Sequence, residues 1–455
     1  MNEPDESPAD APAPDPFGPL RAQVAVIEQS YPLGRIASLD PAGFVVEGLS
    51  DHALLGDELV IDAAGGQTLR AEVSRLDRTT LRATPYGAAE GLRIGLAVRP
   101  AGPPRIAPDT SWIGRIVDPF GQPLDGRPLG TGVPVPLHAE PPPPARRRGM
   151  GARQRTGFAV LDTMLPIAAG QRIGLFAGSG VGKSTLLGSL AREMEADICV
   201  LALVGERGRE VSDFVRRILG PEGMARTVVV AATSDMPANT RRRCAFAALA
   251  VAEHFRDKGR RVLYLCDSVT RLAEAHREVA TAAGEPAALR GHPASLTPLL
   301  AALCERTGPG VDAQGDITAI FSVLVAGSDM EEPVADITRG QLDGHVVLSR
   351  EIAEAGRFPA VDVLRSVSRS LPEIATREEN AIIAEARKIL GIHDRSDLMV
   401  SSGLYEKGAN AEIDRATALV PRMNEIFTAQ GLARPGDGFR LLGGLLGKPY
   451  TGRTA

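Results

Sequence analysis

The chain has 455 residues, 44% of them apolar and 24% charged, with a net charge of −5 at pH 7. It is long enough for two or three domains with a sizeable core, and its acidic balance and 4% aromatic content argue against a nucleic-acid platform. Cys199, Cys244, Cys266 and Cys304 are far apart with no CxxC, which points away from zinc or a disulfide framework and fits a reducing cytosol. 

Residues 1–16 are rich in Pro, Ala, Asp and Glu and carry no basic residue, so the first 19 residues read as a disordered tail. This acidic start lacks the basic-then-apolar form of a signal peptide, and no run of roughly 18 apolar residues follows. A cytoplasmic protein is expected, with peripheral membrane contact left open. Residues 20–27 have apolar positions near helical spacing. From about 33 to 100, short alternating runs at 43–48, 58–61, 71–73 and 80–83 are split by Gly, Asp and Pro, which reads as a small β-barrel. Gly126-Arg127-Pro128 and the prolines of 141–144 mark loops. Arg146, Arg147, Arg148, Arg153 and Arg155 read as a solvated linker rather than a binding patch.

Between 157 and 370, strand-like runs at 173–177, 198–204, 227–232, 261–266, 317–325 and 346–348 alternate with helical stretches such as 213–219 and 245–255. That alternation predicts a mostly parallel sheet covered on both faces. After Pro372 the strand signals fade. Residues 378–390 and 412–427 have helix-period patterns, with Gly391 as the stop of the first. The expected fold is α/β: a barrel domain over 20–100, a nucleotide-binding domain over 101–372 and a helical C-terminal domain over 373–455.

The stretch 177–185 reads Ala-Gly-Ser-Gly-Val-Gly-Lys-Ser-Thr, after an apolar run and before a helical pattern. This is the layout of a phosphate-binding P-loop, with Ala177 where the motif usually opens with Gly. Gly178, Gly180 and Gly182 let successive N–H groups of the loop, with Ser179 and Val181 between them, turn toward phosphate oxygens. Lys183 reaches the β- and γ-phosphates, the Ser184 hydroxyl can ligate Mg²⁺, and Thr185 opens the helix whose N-terminus favours anions.

Residues 262–267 form an apolar strand ending in Asp267, 84 residues after Lys183. In a P-loop enzyme such a carboxylate supports Mg²⁺. Glu206 lies at another strand exit, in Gly-Glu-Arg-Gly-Arg-Glu-Val (205–211). It suits the group that orients attacking water, and composition alone leaves equally open a charge cluster at a helix start.

These pieces, with Asp-Ser-Val-Thr-Arg (267–271), Leu-Asp-Gly-His-Val-Val-Leu-Ser-Arg (342–350) and Phe-Pro-Ala-Val-Asp (358–362), resemble the rotary-type ATPases. Within these the chain most resembles the type III export ATPases of flagella and injectisomes, over about 110–430. The resemblance implies a RecA-like P-loop ATPase core using ATP and Mg²⁺. It implies Glu206 as the catalytic carboxylate, where non-catalytic subunits carry Gln, and Asp267 and Ser184 at the metal. It implies Arg207 and Arg271 near the γ-phosphate, Phe358 and Pro359 lining the adenine pocket, and Arg369 as an arginine finger donated by a neighbour. The site then lies between subunits of a homo-hexamer. Implied partners are a stator-like regulator at the N-terminus, export gate and stalk components, and chaperones with unfolded export substrates, at the cytoplasmic face of the inner membrane.

The shared motifs do not separate flagellum from injectisome, and flagella are preferred as the more widespread system. The Gly-Glu-Arg-Gly-Arg-Glu-Val form argues against a rotary ATP synthase subunit. A Rho-like RNA translocase would bring a basic, aromatic barrel, whereas residues 33–100 hold only Phe44 and Tyr86. Lys183, Glu206 and Asp267 together argue against a non-enzymatic ring subunit.

Overall fold

The computed structural model of the chain describes residues 31–63, 66–325 and 330–452. The acidic tail and the amphipathic stretch 20–27 lie outside the described residues. The strands β1 (Gly34–Asp40), β2 (Gly43–Glu47), β3 (Glu58–Asp62), β4 (Thr68–Leu76), β5 (Thr80–Pro85) and β6 (Ala97–Gly102) close into a barrel in the order β1-β2-β5-β4-β3-β6. Alternate side chains such as Ile36, Phe44, Leu59, Val73 and Leu81 fill it. The alternating runs found the middle four strands. They missed β1, whose buried positions are few, and β6, whose Pro100 breaks the strand pattern.

Strands β7 (Ile116–Val117), β8 (Arg172–Ala177), β9 (Ile198–Glu206), β10 (Thr227–Thr233), β11 (Val262–Asp267), β12 (Ile317–Leu324), β13 (Gly344–Leu348) and β14 (Val361–Ser368) form one sheet. Their order is β14-β13-β8-β12-β11-β9-β10-β7. Neighbours run parallel except β14, which returns antiparallel along β13. The C-terminal ends of β8, β11 and β9 therefore share one edge, while the end of β14 lies at the opposite edge.

The two faces of the sheet bury alternate residues of each strand. On one face Leu175, Leu201 and Leu265 pack under α1 (Lys183–Glu193). On the other, Val200, Tyr264 and Phe321 pack under α2 (Ala238–Asp257), α3 (Val269–Ala282), α4 (Leu296–Glu305) and α5 (Pro333–Gln341). The C-terminal helices α6 (Arg377–Ser401), α7 (Ala411–Phe427) and α8 (Pro435–Leu446) join the α1 face through Ile382, Ile389, Met423 and Phe439.

Three expectations are corrected. Gly391 does not stop its helix, which runs on to Ser401. A mid-helix glycine costs only about 1 kcal/mol, and Ile389 and Ile392 on either side pack against the core. Residues 214–219 are not an independent helix but a π-turn between short helices at Gly208–Asp213 and Gly220–Met224. The arginines of 146–155 are not a solvated linker. Arg147 donates to the Glu305 carbonyl, Arg148 bonds Asp316 at 2.6 Å, and Arg153 bonds the buried Glu379 at 2.9 Å. They fasten the segment to the core and to α6. The four cysteines are free and buried.

Candidate active site

The loop between β8 and α1 is anchored at both ends. Ala177 pairs with Leu324 on one side and Leu348 on the other, and Val181, Leu186 and Leu187 are buried. Gly180 and Gly182 have φ of 79° and 87°, the left-handed region that glycine enters without strain. Ala177 itself has ordinary strand geometry and is buried, so a Cβ is accommodated where the usual motif has glycine. Ser179 and Thr185 are exposed on the loop, and Ser184 is half-buried.

Asp267 ends β11, two strands from the loop, and is 3% exposed. Its Oδ1 accepts from Ser322 Oγ at 2.6 Å, on the intervening strand, and from Lys183 Nζ. A buried carboxylate needs such partners, and here they join the ends of β8, β12 and β11 into one polar cluster. 

Glu206 ends β9, half-buried at the same edge. Burial, a hydrogen bond with Glu210 and the nearby charge of Asp267 push its carboxyl up to about 7, against the pull of Lys183. Glu210 shifts the other way, held low by that hydrogen bond and by Arg207. Arg207 points outward and bonds Glu210 at 3.0 Å rather than facing the loop. Arg271 lies closer in. Its stem packs against Gly205, its Nη1 bonds Glu274 at 3.1 Å, and its buried Nε has no partner.

A cavity of about 300 Å³ opens beside the loop, lined by Val181, Leu186, Phe158, Phe358, Pro359 and Gln430 among others. The Phe358 ring is 46% exposed and faces Gly182, where an added Cβ would meet it at 3.4 Å. An apolar slot with an exposed aromatic face, adjacent to a phosphate loop, suits a flat base. Sequence reasoning missed Phe158 and Gln430. They meet only because a β-bridge pairs Phe158 with Gln430, with Ala159 N–H donating to Ala429 at 3.0 Å. No local pattern signals a contact across that much chain.

Arg369 is not brought to this cluster. It follows β14, and its backbone N–H bonds the Asp343 carbonyl at 2.9 Å, beside the start of β8. From there to the phosphate loop is the whole length of β8, roughly 16 Å at about 3.3 Å per residue. Its side chain is exposed and makes no ion pair among the described residues.

Among the described residues no group of three or more His, Cys, Asp or Glu could cage a metal. The donor set instead fits Mg²⁺ held with few protein ligands and substrate phosphates: the Ser184 hydroxyl and the Asp267 carboxylate, beside Lys183.

Residues 157–368 match the ATP synthase alpha/beta family nucleotide-binding domain, and residues 375–435 match the T3SS EscN ATPase C-terminal domain. The chain is 43% identical over 397 residues to the flagellum-specific ATP synthase of Bacillus subtilis, covering 86% of this chain and 90% of that one. The chain belongs to the flagellar and type III secretion ATPases of the ATP synthase alpha/beta family. The type 3 secretion system ATPase of Pseudomonas syringae pv. tomato is 38% identical, with 91% and 93% covered. The assembled EscN ATPase of enteropathogenic E. coli superposes with a TM-score of 0.84 at 35% identity, over 91% of this chain and all of that one. EscN in complex with its central stalk EscO superposes at 0.81, again at 35% identity over 91% of this chain and 100% of that one. Both EscN matches span barrel, core and C-terminal helices, the three-part architecture of this family. No helix among the described residues is long and apolar enough to cross a membrane.

Proposed function

We propose that the chain hydrolyses ATP to drive type III export of flagellar proteins, as a ring of six copies that unloads chaperone–substrate complexes at the export gate. The observation that carries the hydrolytic reading is the cluster of Lys183, Asp267 and Glu206 at one edge of the sheet. The placement of Arg369 at the opposite edge supports the ring. An arginine there reaches a phosphate only in an adjacent copy, which makes the site intersubunit.

In the reaction, the N–H groups of residues 178–182 and the Lys183 ammonium hold the β- and γ-phosphates. Bound Mg²⁺, held by Ser184 with Asp267 behind it, supplies neutralisation of the phosphate oxygens. Lys183 leaves Asp267 for the phosphate. Glu206 as a carboxylate orients water in line with the γ-phosphorus, and Arg369 of an adjacent copy and Arg271 meet the charge that builds on the transferring group. Phe358, Pro359 and the cavity beside them take the base.

The flagellar system is preferred because the Bacillus relative is more similar than the Pseudomonas secretion ATPase, 43% against 38%. The injectisome reading rests on the EscN C-terminal match. The remaining partners in this reading are a stalk protein in the ring, as EscO is for EscN, and a stator-like regulator on the N-terminal segment, at the cytoplasmic face of the inner membrane. Deleting the gene tests it. Loss of swimming and filaments with effector secretion intact is the expected outcome, and the reverse establishes the injectisome.

A further inference from the structure

Glu210 touches both candidate catalytic groups of its own loop. Its carboxyl is hydrogen-bonded to that of Glu206 and, on the other side, bonds the Arg207 guanidinium at 3.0 Å. Two carboxyls bonded to each other hold one proton between them. Arg207 stands beside only one of the pair, Glu210, so the negative charge settles there and the proton on Glu206. The directions of the two shifts agree, Glu206 up and Glu210 down. The other charged groups around Glu206 are Asp267, which opposes its ionisation, and Lys183, which favours it. The stems of Arg271 and Arg241 lie against Gly205, and both guanidinium groups are engaged elsewhere, with Glu274 and Glu278.

A protonated Glu206 cannot take a proton from water. We propose that Glu210 is a positioning residue and proton store that keeps Glu206 inactive until nucleotide arrives. Arg207 is the trigger. When a γ-phosphate draws its guanidinium away, Glu210 loses the cation that stabilised its charge, the shared proton passes from the Glu206 carboxyl to the Glu210 carboxylate, and Glu206 is left as the carboxylate that hydrolysis needs. No other bond changes and no further reactant is required. The chain thereby couples ionisation of its base to occupancy of the γ-phosphate position, so that ADP, which lacks that phosphate, leaves Glu206 protonated. This inference rests on the reading of Glu206 as the base.

The test is the pH profile of kcat/KM for full-length wild type, Glu210→Gln and Glu206→Gln, with ring formation and affinity for a non-hydrolysable ATP analogue measured alongside. An amide at 210 donates to Glu206 and cannot store the proton. The acidic limb of Glu210→Gln is therefore expected to move down by more than about half a pH unit. A limb that stays within about half a unit or moves up, while Glu206→Gln is inactive, overturns the proton store and leaves the base reading standing. A Glu206→Gln protein that hydrolyses ATP at the wild-type rate overturns both. Infrared difference spectra give a readout independent of turnover and of whether Glu210→Gln folds. Nucleotide-free wild type just below neutral pH is expected to show a protonated glutamic carboxyl that Glu206→Gln removes, and its absence overturns the proposal.

Discussion

Lys183 and Asp267 lie 84 residues apart in the chain and are joined by a charge-assisted hydrogen bond across β12, with Ser322 Oγ on the same carboxylate oxygen. The ammonium that grips phosphate and the carboxylate that supports Mg²⁺ thus neutralise each other before substrate binds. Neither is an isolated charge in a half-dry site. Nucleotide and metal replace this pair by two others: ammonium with phosphate, carboxylate with the hydrated cation. Lys183→Ala removes the phosphate contact and leaves a buried carboxylate unbalanced. Its expected result is loss of nucleotide binding, measured with a fluorescent ATP analogue.

Glu206→Gln keeps the shape and hydrogen-bonding reach of the side chain while removing its ability to accept a proton. Nucleotide affinity is expected to stay within a few-fold of wild type, with kcat down by about 10²–10⁴. Equilibrium binding and steady-state turnover on the same preparation check both halves.

Burial and the Glu210 hydrogen bond raise the Glu206 carboxyl from the usual carboxylate range to about 7. The acid is the neutral form, so a raised value means the inactive protonated form persists until pH climbs through about 7. Wild-type kcat/KM is therefore expected to fall as pH drops below 7, by about tenfold per unit once well below it. A profile flat from pH 8 down to the ordinary carboxylate range counts against the assignment.

Arg369 predicts a behaviour that a single-subunit site does not have. An Arg369→Ala copy lacks the finger and keeps its own phosphate loop, and a Lys183→Ala copy is the converse. Fingers of this kind contribute about 10³–10⁵ in rate. Each variant alone is expected to be nearly inactive, and mixed rings are expected to regain part of the activity at interfaces where a good loop meets a good finger. Mixed rings verified by mass spectrometry that show no rescue exclude a finger in trans.

How far the site was legible in the sequence follows from how each part is encoded. The phosphate loop and the strand ending in Asp267 are local: glycines at positive φ, apolar runs and a terminal carboxylate are all visible in a window of ten residues. The three-part order of barrel, sheet and helices was legible for the same reason, since periodicity changes from 2 to 3.6 along the chain. What stayed hidden depends on tertiary neighbours. Gln430 reaches the base pocket through a bridge to Phe158, and Glu210 acquires meaning only when Glu206 folds back to meet it. Gly391 misled because packing of Ile389 and Ile392 outweighs a propensity term. The arginines near 150 misled because their carboxylate partners, Asp312, Asp316 and Glu379, are more than 160 residues away.

The barrel is held to the core by charges rather than by apolar contact, and this yields the last prediction. Arg243 on α2 is 4% exposed and pairs with Glu58 of β3, also 4% exposed. Its other nitrogens donate to the Pro119 and Arg105 carbonyls at 3.0 Å, and its guanidinium stacks 4.6 Å from the Phe120 ring. Asn239 and Thr240, one turn earlier, donate to the Thr84 and Tyr86 carbonyls of the barrel. Removing one partner of a buried pair leaves the other charge without compensation, at a cost of about 3–5 kcal/mol. Arg243→Ala is expected to lower the thermal midpoint and to expose the barrel to limited proteolysis before the core. Removing both charges together, as Arg243→Met with Glu58→Gln, is expected to recover much of the loss, because no buried charge is then orphaned. If Arg243→Ala melts like wild type, the pair does not hold the barrel, and the backbone contacts of Asn239 and Thr240 are sufficient.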